Sequence, residues 1–166
     1  GCLPESMAVT LESLGVTAVG VNCSLGPKEL KPIVKKILEH TNLPVIVQPN
    51  AGLPTIVNGQ SLYTITPEEF CNYVEVLIDM GVSIIGGCCG TTPDFIKCLK
   101  SMSNHKKVLK RDPIKKSFLT THSKILELNE VRIIGEKINP SGKKNLKEAI
   151  INNDMDYILK QAIIQV

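Results

Sequence analysis

Three cysteines carry the chemistry in this chain. Cys23 stands just after an apolar, β-branched run in Val21-Asn22-Cys23, and Cys88 and Cys89 follow another such run in Gly86-Gly87-Cys88-Cys89-Gly90. If the two runs are parallel strands of one α/β sheet, their C-terminal ends lie side by side, where such folds build their active sites. Three thiolates there, with no fourth Cys or His at an equivalent strand end, match a catalytic zinc site, which keeps one position open for chemistry. Adjacent cysteines in a regular strand point to opposite faces, so both reach one metal only if the backbone turns sharply. The flanking glycines permit that turn. The bland alternative for Cys88 and Cys89 is a buried pair in a tight turn. A structural four-ligand site is disfavoured, because His40, His105 and His122 fall at a helix end or in a polar stretch. Cys2, Cys71 and Cys98 stand apart from the cluster and read as packing or bystander residues.

The elements that must position these residues alternate regularly. Residues 4–14 read as a helix with Pro4 in its first turn and Gly15 as its stop. Val16 to Val21 follow as a strand buried on both faces. Pro27 to His40 form an amphipathic helix and Leu43 to Gln48 a second buried strand, which ends in Gln48-Pro49-Asn50-Ala51-Gly52, either a plain turn or the lining of a substrate pocket. Thr66-Pro67-Glu68-Glu69 is a capping box opening a helix that Gly81 stops. Val82 to Ile85 are the third strand, and Thr92-Pro93 opens a helix reaching Met102. Helices and strands in this order form parallel units of either an open sheet or an eight-fold barrel, and periodicity does not choose between them.

From Ser103 to Asn129 the pattern gives way to Lys106, Lys107, Lys110, Arg111, Lys115 and Lys116, read as a basic, solvated linker. Val131 to Gly135 then look strand-like, and Leu146 to Val166 helical. The 166 residues carry a net charge of +3 and few aromatics, which makes no case for a nucleic-acid surface. No apolar run reaches the roughly 18 residues of a membrane span, and the cytoplasm is the expected compartment. A start at Gly1-Cys2 and a finish in a rising apolar run suggest a piece cut at both ends.

Three segments, Val21-Asn22-Cys23-Ser24-Leu25-Gly26-Pro27, Gln48-Pro49-Asn50-Ala51-Gly52-Leu53-Pro54 and Gly86-Gly87-Cys88-Cys89-Gly90-Thr91-Thr92-Pro93, together resemble the homocysteine S-methyltransferase domain. The later Ile134-Gly135-Glu136-Lys137-Ile138-Asn139-Pro140-Ser141-Gly142 resembles the opening strand and loop of the pterin-binding barrel that follows it in cobalamin-dependent methionine synthases. The resemblance implies an α/β fold: strands six to eight of a (βα)8 TIM barrel, then the first strand and helix of a second barrel. Residues 1–102 would be the C-terminal part of the homocysteine-binding barrel, 103–129 the linker, and 130–166 the start of the pterin-binding, methyltetrahydrofolate barrel.

It further implies Cys23, Cys88 and Cys89 as zinc ligands, Asn22 and Asn50 as homocysteine contacts, and Asn139 and Glu136 as pterin contacts. The implied reaction moves a methyl group from methylcobalamin, recharged by 5-methyltetrahydrofolate, to the zinc-activated thiolate of homocysteine, giving methionine. The cobalamin domain of the parent protein would be the partner, and no turnover is expected from these residues alone. Two alternatives stay open. One is a methyltransferase taking its methyl from betaine or S-methylmethionine, and the other is a non-catalytic zinc-binding remnant.

Overall fold

Four helices begin on a proline in their first turn: α1 (Pro4–Ser13), α2 (Pro27–Leu38), α3 (Pro67–Asp79) and α4 (Pro93–Ser103). Proline suits that position because its fixed φ fits the helix and its missing N–H would have had no partner there. Thr66 caps α3 as the capping box predicts, its Oγ1 accepting from the Glu69 backbone N–H at 3.2 Å. Gly15 and Gly81, both at positive φ, follow the first and third helices, where a residue with a Cβ would be strained.

Between these helices run β1 (Val19–Asn22), β2 (Val45–Gln48), the short hairpin β3 (Thr55–Val57) and β4 (Gln60–Leu62), and β5 (Ile84–Ile85). The computed structural model describes residues 1–165. In it β1, β2 and β5 form one parallel sheet in that order, with Val19 opposite Val45, Asn22 opposite Gln48 and Val47 opposite Ile85. The three strand ends that carry the chemical motifs are therefore neighbours.

The helices cover one face of this sheet. Val19, Val45 and Val47 are buried against Leu30, Val34, Ile37 and Leu77. On the other face Gly20 and Ile46 are half-buried and Ile84 is 48% exposed. The expectation of strands buried on both sides is thus met on the helix side alone. A second cluster, Ala51, Phe70, Val74, Ile78, Phe95 and Leu99, joins α3 to α4, with the Phe70 and Phe95 rings edge to face at 5.3 Å. Cys71 and Cys98 lie in this interface and are paired as a disulfide, their Cα atoms 6.5 Å apart. This corrects their reading as separate packing residues: helix packing brings together two positions 27 residues apart in sequence, and neither helical pattern alone reveals that.

The stretch read as a linker belongs to the same compact unit, Gly1–Leu128. It contains a second hairpin, β6 (Phe118–Thr120) with β7 (Ile125–Glu127), and backbone and side-chain bonds tie it down. The Leu3 N–H donates to the His122 carbonyl at 2.8 Å, and the Asn42 side chain accepts from the Ile114 N–H at 2.7 Å. The Arg111 guanidinium donates to the carbonyls of Leu38, Thr41 and Leu43 at 2.8, 2.9 and 2.6 Å. Those carbonyls end α2 and lead into β2, so the cation also faces the negative end of a helix dipole.

A second unit, Asn129–Val166, holds α5 (Lys144–Ile151) and α6 (Met155–Ile163). The single long helix expected here is broken at Asn152-Asn153-Asp154: Asn153 is left-handed at φ 54°, and the Asp154 carboxylate caps α6 by accepting from the Tyr157 N–H. The expected opening strand is not formed. Val131, Ile133 and Ile134 are 95, 97 and 85% exposed, without a ladder partner among the described residues. A β-branched run supplies propensity, but a strand also needs a neighbour to take up its backbone N–H and C=O groups. Among the described residues no helix is long and apolar enough to cross a membrane.

Candidate metal centre

Cys23 terminates β1 in a conformation that side chains usually avoid: Cys23 and Ser24 both lie in the left-handed region, at φ 68° and 66°. Non-glycine residues held there cost roughly 1 kcal/mol each, so two in succession must be imposed by their surroundings. Here the Cys23 N–H donates to the Gln48 carbonyl at 2.9 Å, extending the β1–β2 ladder, and the Asn50 N–H donates to the Leu25 carbonyl at 2.9 Å. Close approach of the two loops needs Gly26 as well, since a Cβ there would lie 2.8 Å from the Gly52 Cα.

The loop after β5 is fixed against the loop after β2. The Cys88 N–H donates to the Pro49 carbonyl at 2.8 Å, and the Ala51 N–H to the Cys89 carbonyl at 2.9 Å. The Cys89 N–H donates to Asn50 Oδ1 at 3.1 Å. Thr91 closes the turn by donating its hydroxyl to the Cys88 carbonyl at 2.6 Å. Gly90, at φ 77°, completes it.

These constraints bring the three sulfurs together. Cys23 and Cys89 Sγ are 3.5 Å apart, Cys88 and Cys89 Sγ 3.9 Å, and all three lie within 4.8 Å of one another. Tetrahedral zinc with Zn–S bonds of about 2.3 Å places its sulfurs about 3.8 Å apart, so the donor set fits the ion. It is the one cluster of at least three metal-ligating side chains among the described residues. The thiols are half-buried or exposed, which leaves the fourth direction accessible.

The cluster is electrostatically asymmetric. The Ser24 backbone N–H, then the Cys89 and Cys88 side chains, hold the Cys23 thiol below its ordinary pKa, and the Asn50 side chain adds to this. Cys88 is pushed up, first by its hydrogen bond to Cys23 and then by desolvation.

Asn50 is buried at 3% exposure and braces both sides of the cluster, accepting from the Cys89 N–H and supporting the Cys23 sulfur. Asn22 is exposed at the end of β1, opposite Gln48. In the second unit Asn139 and Glu136 come together in one turn, with Asn139 Nδ2 donating to Glu136 Oε1 at 2.9 Å and Asn139 Oδ1 accepting from the Ser141 N–H.

One residue at the cluster has no signal in the sequence. Tyr63 follows the β3–β4 hairpin and is half-buried, its ring lying against Gly90, the residue after Cys89. Burial and then the Cys89, Cys23 and Cys88 charges push its phenol up. The hairpin itself did carry a signal: Asn58-Gly59 between two short apolar runs is a two-residue turn, and both residues adopt positive φ.

Residues 1–103 match the family model described as homocysteine S-methyltransferase. Methionine synthase from Mycobacterium tuberculosis is 34% identical over 153 residues, which cover 90% of this chain and 13% of that protein. Methionine synthase from Mycobacterium leprae is 33% identical over 159 residues, again 90% of this chain and 13% of that protein. The chain thus spans about an eighth of the length of these relatives.

Proposed function

Because the chain belongs to the homocysteine S-methyltransferase family, we propose that residues 1–102 supply the zinc-binding corner of an enzyme that methylates the sulfur of homocysteine. The observation that carries this reading is the convergence of Cys23, Cys88 and Cys89 at the ends of two strands that both flank β2. On this reading the three-stranded sheet is an arc of a (βα)8 barrel, strands six to eight, and its uncovered face is the barrel interior.

The division of labour among the residues follows from the geometry. Cys23, Cys88 and Cys89 would hold the metal, and Asn50 with the left-handed turn at Cys23 and Ser24 would hold the sulfurs in place. Bound there, zinc acts as a Lewis acid that lets a substrate thiol, ordinarily with a pKa of about 8.5, react as the thiolate at neutral pH. Three sulfur donors keep the ion electron-rich, which preserves the nucleophilicity of that thiolate. We assign Asn22, exposed at the end of β1, and Asn50 to the polar end of homocysteine.

For the methyl donor we favour methylcobalamin, recharged by 5-methyltetrahydrofolate, with Asn139 and Glu136 touching the pterin and a cobalamin domain as partner. The similarity to two methionine synthases runs over 153 and 159 residues, too long a stretch to lie within residues 1–103, and this supports that donor over betaine or S-methylmethionine. A non-catalytic zinc-binding remnant would share the cysteines but need no open coordination position.

Zinc titration of the reduced chain against a chromogenic chelator tests the site. One zinc per chain is expected. Binding displaces thiol protons, so the affinity falls as the pH drops, by about tenfold or more per unit below the thiol pKa values. The raised pKa of Cys88 extends that dependence above neutrality. A pH-independent affinity between pH 6 and 8 would show that the thiols are not the ligands.

A further inference from the structure

The three sulfurs are not equally supported. Cys23 has the Ser24 backbone and the Asn50 side chain, and Cys88 is half-buried under the turn that Thr91 closes. Cys89 is exposed and has its backbone, rather than its sulfur, bound to Asn50. Something else must hold that sulfur if it is to be a fixed ligand.

Tyr63 is placed to do so. The β3–β4 hairpin carries the chain out from the end of β2 and returns it across the loop after β5. There the Tyr63 ring lies directly on Gly90: a Cβ on Gly90 would collide with the ring's Cγ and Cδ2. The ring also packs on the Phe70, Val74 and Phe95 cluster, which fixes its direction. The ring thus lies against the residue that follows Cys89, and the phenol feels the Cys89 sulfur. Gly90 thus serves two purposes, the positive φ of the turn and the space for an aromatic ring beside the second cysteine of the pair.

We propose that the Tyr63 hydroxyl donates a hydrogen bond to the Cys89 sulfur and so acts as a positioning residue for the metal centre. The inference rests on the zinc reading of the three cysteines. A phenol is protonated at neutral pH and offers one O–H, and donation to an anionic sulfur is charge-assisted. Three thiolates around one dication leave a net negative site, and a donor to one of them relieves that charge while fixing the sulfur's orientation. Losing such an outer partner typically lowers metal affinity about 10- to 100-fold.

The test uses the reduced full chain and its Tyr63→Phe variant, which keeps the ring and removes only the hydroxyl. Zinc affinity is read by chelator competition, and the sulfur environment by the thiolate-to-metal charge-transfer bands of the cobalt(II)-substituted protein. Tyr63→Phe is expected to bind zinc about tenfold more weakly. Its charge-transfer band should move to lower energy, because a thiolate without its donor gives up charge more readily. An unchanged cobalt spectrum and zinc affinity would overturn the proposal, even with a lower melting temperature, since that pattern assigns Tyr63 to packing alone. A parent chain that takes up neither metal would overturn the zinc reading itself.

Discussion

Cys89→Ala is expected to weaken zinc binding by about a thousandfold while leaving the fold unchanged. Structural zinc sites in zinc-finger peptides bind the ion with roughly 10–16 kcal/mol of apparent free energy, which sets the scale for thiolate ligation. One of three thiolates accounts for about 4 kcal/mol of that, and each 1.4 kcal/mol is a factor of about ten in affinity. Cys89 is exposed, so its truncation opens no cavity in either hydrophobic cluster. Circular dichroism and thermal midpoint of the metal-free protein should therefore match the parent, with the whole effect in the chelator competition. Cys2→Ala supplies the control, because Cys2 is a free, exposed thiol outside the cluster. Equal losses in both variants would show that zinc is held adventitiously by surface thiols.

The second large effect lies in the stretch that reads as a linker. Arg111→Ala is expected to destabilise the first unit by about 3 kcal/mol in urea denaturation. Hydrogen bonds to a charged group contribute about 1.5–3 kcal/mol each, and three that share one guanidinium do not add independently. The Leu38, Thr41 and Leu43 carbonyls would lose their shared donor, in a region where Thr41 is 1% exposed. Arg111→Lys should recover little of the loss, because one ammonium cannot reproduce the fork that reaches three carbonyls. A change within about 0.5 kcal/mol, the range of ordinary surface substitutions, would instead mean that residues 103–128 are a solvated linker.

The role of Arg111 is not written in its local sequence. Counting charges gives lysine-rich polarity from Lys106 to Lys116, and nothing local marks one cation as the anchor of three distant carbonyls. The Cys71–Cys98 pairing and the approach of Tyr63 to Cys89 are hidden for the same reason, since each depends on how elements pack rather than on what any one element contains.

The parallel strands and proline-led helices were legible because period, caps and stops are local. So were the three cysteines, whose placement at strand ends needs only the element order. The break at Asn152-Asn153-Asp154 and the Asn58-Gly59 turn also have local signals in the sequence, in residues that favour turns and helix caps. Val131 to Ile134 failed in the opposite sense: the propensity was there and the pairing was not.

On the reading proposed above, Cys23, Cys88 and Cys89 give zinc three sulfurs and leave one position open. Zinc K-edge X-ray absorption on the reduced, zinc-loaded chain tests it most directly. The expected result is three sulfur neighbours at about 2.3 Å and one oxygen or nitrogen neighbour at about 2.0–2.2 Å. A shell of four sulfurs, or one of oxygen and nitrogen alone, would contradict it.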